Sequence, residues 1–334
     1  FYNMDRIKFF AEITKANVNI AGGKGASLGE MINASIPVPP GFVVLASAFD
    51  RFIDETNLKE EITARLTEVK PEDTASVDRA SHVLRDAIHD TAMPADLGAE
   101  ILRAFDTLFE TPPNPPLQGE GHWVAVRSSA TAEDSDVASW AGELETYLNT
   151  TREDVVERVK QCWSSLFTPR AIFYRHEKKL IDAQVSVAVV IQKMVQSDIS
   201  GVAFTVHPVT EDPNQMIIEA VYGLGEALVS GQVTPDSYIV SKNDMSIMDI
   251  HVGTQTKKLV KSEVISHKSA VNEWIELIET NGGKQKLSGK QIIDVAEMCK
   301  KIEELYGFPC DIEWAMEAGK LYITQSRPIT TLKQ

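Results

Sequence analysis

The sequence predicts an α+β fold with largely antiparallel sheets, arranged in two lobes. Helical periodicity dominates from Ser47 to Glu110, short β-rich runs begin at Val185, and the chain closes on a helix followed by two strands. At 334 residues the chain is long enough for two ordinary domains, or for an enzyme core whose lobes close over a ligand.

In order along the chain, the helical region from Ser47 to Glu110 is interrupted by the polar stretch around Lys70 to Asp78. Thr111 to Gly121, TPPNPPLQGEG, reads as a stiff connector. Trp123 to Arg127 reads as a strand ending in a hydroxyl-rich loop. Val155, Val156, Val159, Cys162, Trp163, Leu166 and Phe167 recur at helical spacing, so Asp154 to Lys178 reads as one long helix that Pro169 kinks or divides. Strands are expected at Val185 to Gln192, Gly201 to Val206, Met216 to Ala220 and Ser237 to Ser241. A helix around Gln291 to Tyr306 then precedes strands Cys310 to Met316 and Lys320 to Gln325.

Composition narrows the function. A 43% hydrophobic and 24% charged chain is that of an ordinary globular protein, and no apolar stretch approaches a bilayer span. Without a signal-peptide pattern, the expected location is cytoplasmic. The formal charge of −15 argues against nucleic-acid binding, so an anionic ligand needs a local basic pocket. Cys162, Cys299 and Cys310 are odd in number and far apart, which reads as reduced packing residues rather than a disulfide or zinc framework. No His-Glu-x-x-His pair and no Gly-x-Ser-x-Gly elbow accompanies the seven histidines.

Four segments carry candidate chemistry. Gly22 to Glu30, GGKGASLGE, opens an apparent helix, so backbone N–H groups meet an anion with Lys24 alongside. Gly25 stands where a P-loop needs a hydroxyl, which disfavours that class; a glycine turn with a solvated lysine is the alternative. Arg127 at a strand end suits a bidentate phosphate pair, or an ion pair with Glu133 or Asp134. The small-residue loop at Gly142, running on to Thr146, lets backbone approach a polyphosphate. In the last hairpin, a three-residue loop Glu317-Ala318-Gly319 pairs Glu313 with Ile323 and Asp311 with Gln325. Asp311, Glu313, Gln325 and Arg327 then share a face opposite Ile312, Trp314 and Tyr322, whereas a two-residue loop separates Glu313 from Gln325. Oxygen ligands beside an arginine suit Mg²⁺ bound to phosphates; a hydrophilic outer sheet face is the alternative.

GGKGASLGEM at Gly22, VRSSATAED at Val126, ASWAGELETYLN at Ala138, CWSSLFTPRAIFYR at Cys162, YGLGEALVSGQVTPDSY at Tyr222 and DIEWAMEAGKLYITQSRPIT at Asp311 occur in this order. Together they resemble the N-terminal ATP-binding domain shared by phosphoenolpyruvate synthase, pyruvate phosphate dikinase and rifampicin phosphotransferase. The resemblance covers nearly the whole chain and implies a two-lobed ATP-grasp-like fold, with lobes at 1–191, carrying a helical insertion at about 47–110, and at 196–334, joined by an adenine hinge at 192–195. It implies that Lys24, Arg127 and Arg327 act on the phosphates. Gly142 and Thr146 would then cover the phosphates, Gln192 would mark the adenine edge, and Glu313 and Gln325 would hold the metal. A role for Glu219 at the ribose or metal is implied less directly. Trp140 stands where a phenylalanine is frequent.

The implied cofactors are ATP and Mg²⁺. The implied reaction passes the β-phosphoryl group to a histidine on a swivelling domain, which then meets an acceptor-binding domain. No glycine- and threonine-rich histidine motif occurs in these residues, so the expectation is the ATP-binding part of a longer enzyme, or a separately encoded subunit. A phosphoenolpyruvate synthase is favoured over a rifampicin phosphotransferase, with a nucleotide-binding regulatory module as the reading from another class.

Overall fold

The computed structural model describes residues 6–110, 122–131, 145–178, 180, 185–262 and 272–329. The fold is α+β and ATP-grasp-like. The chain divides into two compact units: Phe1–Glu30, Pro40–Pro112 and His122–Met194 form the first, and Met31–Pro39, Pro113–Gly121 and Val195–Gln334 the second.

The first unit contains β1 (Ile7–Phe9), β2 (Gly41–Val44), β3 (Val124–Ala130), β4 (Thr146–Thr150) and β5 (Val187–Lys193). They form one antiparallel sheet in the order β1-β2-β5-β3-β4. Its helices are α1 (Val18–Asn33), α2 (Ala46–Glu55), α3 (Leu58–Glu68), α4 (Thr74–Asp90), α5 (Ala95–Glu110), α6 (Val155–Ser164) and α7 (Pro169–Glu177). Because side chains alternate, register assigns Phe42, Val44, Val124, Val126, Val187, Val189 and Ile191 to one sheet face. All are buried in a core with Phe49, Phe52, Leu84, Ile101, Phe105 and Trp163 from the helices. The Trp163 ring lies 5.0 Å from Phe52 and 5.8 Å from Phe49, so its truncation to alanine costs about 3–5 kcal/mol.

The helical stretch from Asp154 to Lys178 is divided at Pro169, one of the two outcomes expected there: Ser165–Phe167 tighten into a 3₁₀ turn, and Pro169 starts α7 where its missing N–H costs nothing. Thr168 caps that start by accepting from the Ala171 N–H at 3.2 Å. One sequence reading needs correction: the strand at Arg127 does not end there. Ser128, Ser129 and Ala130 continue it against Val189, Ala188 and Val187, placing the arginine in mid-strand.

The second unit contains β6 (Ile199–Phe204), β7 (Gln215–Tyr222), β8 (Asp236–Ser241), β9 (Ile247–His251), β10 (Lys257–Lys261), β11 (Asn272–Glu276), β12 (Cys310–Glu317) and β13 (Lys320–Pro328). Its helices are α8 (Glu226–Val229), α9 (Glu279–Gly282) and α10 (Gly289–Tyr306). Six strands form an antiparallel sheet, β13-β12-β6-β7-β8-β9, while β10 and β11 pair separately. Helix α10 starts at a capping box between Ser288 and Gln291 and stops at left-handed Gly307. It packs on β7, β8, β9 and β12 through Ile292, Val295, Ala296, Cys299 and Ile302. Under it lie Ile312, Trp314 and Ala203, and Gly201 makes room for the indole: a Cβ there would sit 2.4 Å from the Trp314 ring and 1.9 Å from the Glu219 carbonyl oxygen. At the sheet's β13 edge, the Ile323 N–H donates to the Pro37 carbonyl at 2.9 Å. Cys162, Cys299 and Cys310 are buried free thiols.

The closing hairpin differs from its expected register in its turn. Glu317 pairs with Lys320, leaving a two-residue loop in which Ala318 has φ 48° and Gly319 φ 76°. Positive φ at both positions matches the right-handed twist of the strands, and the Asp198 carboxylate accepts the Ala318 N–H at 2.8 Å. Trp314 therefore pairs with Ile323. The register then slips by one, with Thr324 as the extra residue, so that Glu313 faces Gln325 and Asp311 faces Arg327. The bulge restores the parity that the short loop removes. Tyr322 pairs with Ala315, which puts it on the Glu313 face and not with Ile312 and Trp314.

Candidate functional site

On the sheet face of the first unit opposite the helical core, one row runs Lys8, Val43, Val190, Arg127, Thr146 across all five strands. The next row on that face carries Gly41, Gln192 and Ala125. Arg127, Thr146 and Gln192 thus share one face although they lie far apart in sequence. Arg127 and Gln192 are buried, and Thr146 is exposed. Thr146 reaches this face because β4 slips between Val124 and Val126: Thr150 faces Val124, Tyr147 faces Val126 and Thr146 faces Arg127. Asn149, inside the slip, has φ 50°.

Helix α1 brings Lys24 to this strand. Gly22 breaks it, with φ 69° and ψ 170°, which only glycine adopts at low cost; a Cβ there would also lie 2.1 Å from the Ser129 Oγ. The Ser129 hydroxyl donates to the Ala21 carbonyl at 3.0 Å and accepts from the Gly25 N–H at 3.3 Å, stitching the break to β3. Beyond it, Lys24 Nζ donates to the Ser128 carbonyl at 3.0 Å, directly next to Arg127. Lys24 is thus held at the strand residue next to Arg127, and a lysine and an arginine on adjoining backbone suit a polyanion. Gly142 lies outside the described residues.

The second unit carries a separate group of two carboxyls, an amide and an arginine on one sheet face. Glu313 and Gln325 stand directly across from one another, with Gln325 Nε2 donating to Glu313 Oε1 at 3.1 Å. One row on, Arg327 Nε and a terminal nitrogen reach Asp311 Oδ2 at 2.8 and 2.7 Å. The row through Glu313 continues over Val202 to Glu219, so both glutamates point to the same face. Burial raises the Glu219 carboxyl above its ordinary range. It also raises Asp311, where Arg327 opposes the shift and Glu313 adds to it. Beside these carboxyls, Val202, Phe204, Ile217 and Ile239 are only partly buried, on the face that α10 leaves uncovered.

A divalent ion suits this donor set. Mg²⁺ on a nucleotide takes one or two protein oxygens and completes its shell with phosphate and water. A glutamate carboxylate and the amide oxygen that Gln325 presents on a half-turn of its side chain meet that need, while Arg327 holds Asp311. No group of three or more His, Cys, Asp or Glu able to hold a metal by itself is found among the described residues.

The family described as the pyruvate phosphate dikinase AMP/ATP-binding domain matches residues 18–334. The chain belongs to that family. Among curated relatives, a probable phosphoenolpyruvate synthase of Archaeoglobus fulgidus is 46% identical over 98% of this chain and 42% of its own length. One from Methanocaldococcus jannaschii is 45% identical over 99% of this chain and 27% of its own. The phosphoenolpyruvate synthase of Pyrococcus furiosus is 40% identical over 98% and 44%. The chain thus spans between about a quarter and a half of the curated relatives it matches. As an ATP-binding domain of this dikinase family, it carries residues that the sequence reading passed over. Ser128 and Ser129 read from the sequence as loop, although Ser128 continues the alternation of Val124 and Val126. Glu145 was read only as part of a motif.

Proposed function

We propose that this chain is the nucleotide-handling part of a phosphoenolpyruvate synthase, holding Mg·ATP and donating the β-phosphoryl group to a histidine on a swivelling domain outside these residues. Lys24, Arg127 and Thr146 hold and cover the phosphates together with Gly142, Arg327 acts on the transferring group, and Glu313 with Gln325 holds Mg²⁺. Gln192 to Val195 serve as the adenine hinge. When bound, the ion neutralises phosphate charge and polarises the phosphoryl group. The protein's own part is placement: Arg127 offers a planar fork to phosphate oxygens and Lys24 a point charge beside it. The observation that carries this reading is the register Glu313↔Gln325 and Asp311↔Arg327, which collects two candidate metal oxygens and an arginine on one face. The relatives' names favour pyruvate over an antibiotic as the final acceptor.

Calorimetric titration with ATP, with and without Mg²⁺, tests it. Glu313→Gln is expected to weaken Mg·ATP binding by about tenfold and leave metal-free ATP binding unchanged, because it removes a charged ligand while preserving size. Equal losses under both conditions would assign Glu313 a structural role and remove the metal site.

A further inference from the structure

Glu145 lies outside the residues assigned above to ATP, yet it is tied to three elements of the first unit. Its carboxylate accepts from Arg85 of α4 at 2.7 Å through one oxygen and from the Tyr147 hydroxyl of β4 through the other. Its backbone carbonyl accepts the Ser128 N–H of β3 at 3.1 Å and the Ser128 hydroxyl at 3.1 Å. The ion pair is only partly exposed, at 28% for each side chain. Arg158 lies 4.9 Å over the Tyr147 ring, closing that side.

These contacts bear on the candidate phosphate groups from behind. Ser128, held at its N–H by Glu145, accepts from Lys24 Nζ at its own carbonyl. The residue after Glu145 is Thr146, which lies opposite Arg127. Tyr147 faces the helical core with Val126 while Thr146 faces the other way, so anchoring residues 145 and 147 fixes where 146 is presented. A path of direct contacts runs from Arg85 through Glu145 and Ser128 to Lys24.

The geometry points to Glu145 as a positioning residue: clamped by Arg85 and Tyr147, it holds Lys24 and Thr146 in one frame with Arg127, so that three groups meet the polyphosphate together. This rests on the reading of Lys24, Arg127 and Thr146 as phosphate groups. Glu145→Gln keeps the shape but turns an NH₂ toward one of two donors, so either Arg85 or Tyr147 loses its acceptor. Arg85→Gln releases the same carboxylate from the far side.

The test is calorimetric titration of the wild-type chain, Glu145→Gln and Arg85→Gln with Mg·ATP and, separately, with adenosine, which has no phosphate. Both variants are expected to lose about tenfold in ATP affinity and less than twofold in adenosine affinity, the selective loss that displaced phosphate groups produce. Equal losses for the two ligands, or no loss for ATP, overturn the positioning role. If Glu145→Gln does not fold, Arg85→Gln decides, because in the described contacts Arg85 reaches the candidate site only through Glu145. A wild-type chain that binds no ATP overturns the proposed function instead.

Discussion

In the first unit, β4 slips against β3 at Leu148 and Asn149; in the second, β13 slips against β12 at Thr324. Each slip sets a candidate ligand group opposite its partner: Thr146 across from Arg127, and Gln325 across from Glu313. The two are built differently. In β4 the left-handed residue, Asn149, lies within the slip and is 1% exposed. In the β12–β13 hairpin the left-handed residues, Ala318 and Gly319, lie in the turn and the bulge follows at Thr324. The charges also differ, with Lys24 and Arg127 in the first unit and Asp311, Glu313 and Glu219 beside a single Arg327 in the second. Strand parity is thus a quantity that a fold can set at a turn, at a bulge, or by combining the two, and only the net result reaches the ligand.

Substitutions can separate these contributions. The largest effect is expected at Arg127: replacement by lysine keeps the charge but not the fork, and phosphoryl transfer to a supplied histidine domain should fall by about a hundredfold. Wild-type transfer would show that any cation suffices in that row. Asn149→Val puts a β-branched residue at φ 50°, so chemical denaturation should reveal a loss of about 2 kcal/mol, with weaker ATP binding as Thr146 shifts. An unchanged denaturation midpoint would mean that the slip does not depend on a residue tolerant of that conformation. The smallest effect belongs to the turn. Ala318→Asn suits the left-handed position better and should stabilise the protein by about 0.5 kcal/mol without altering Mg·ATP affinity. A changed affinity would show that the loop itself, and not the bulge beyond it, sets the Glu313–Gln325 pairing.

The same hairpin shows how far the sequence reaches. Alternation combined with a three-residue loop places Asp311, Glu313, Gln325 and Arg327 on one face; the grouping holds, but through a two-residue loop and a bulge. The route to it was misread, because alanine is an unusual left-handed residue and a bulge at threonine leaves no mark in composition. Placing Tyr322 with Ile312 and Trp314 failed for the same reason. The major β runs and α10 were legible from hydrophobic periodicity. Strands β1 and β2 are only three and four residues long, and β10, Lys-Lys-Leu-Val-Lys, reads as a polar loop, so none of these gave a periodic signal. Lys24 and Arg127 were legible as motif residues. That Ser128 links Lys24 to Glu145 depends on backbone groups, which no side-chain pattern reports.

The contact between Ile323 and Pro37 has a bearing on how this sheet meets other chains. Strand β13 is an edge strand, and such an edge recruits foreign strands when its backbone groups stand open. Here the neighbouring segment reads Ile36-Pro37-Val38-Pro39. It takes a hydrogen bond from the edge at Pro37, and Pro37 and Pro39 have no N–H with which to extend the ladder outward. A strand adding to the second unit's six-stranded sheet would therefore meet a proline barrier beside β13, leaving β9 as the opposite edge, where Asp249 and His251 are exposed.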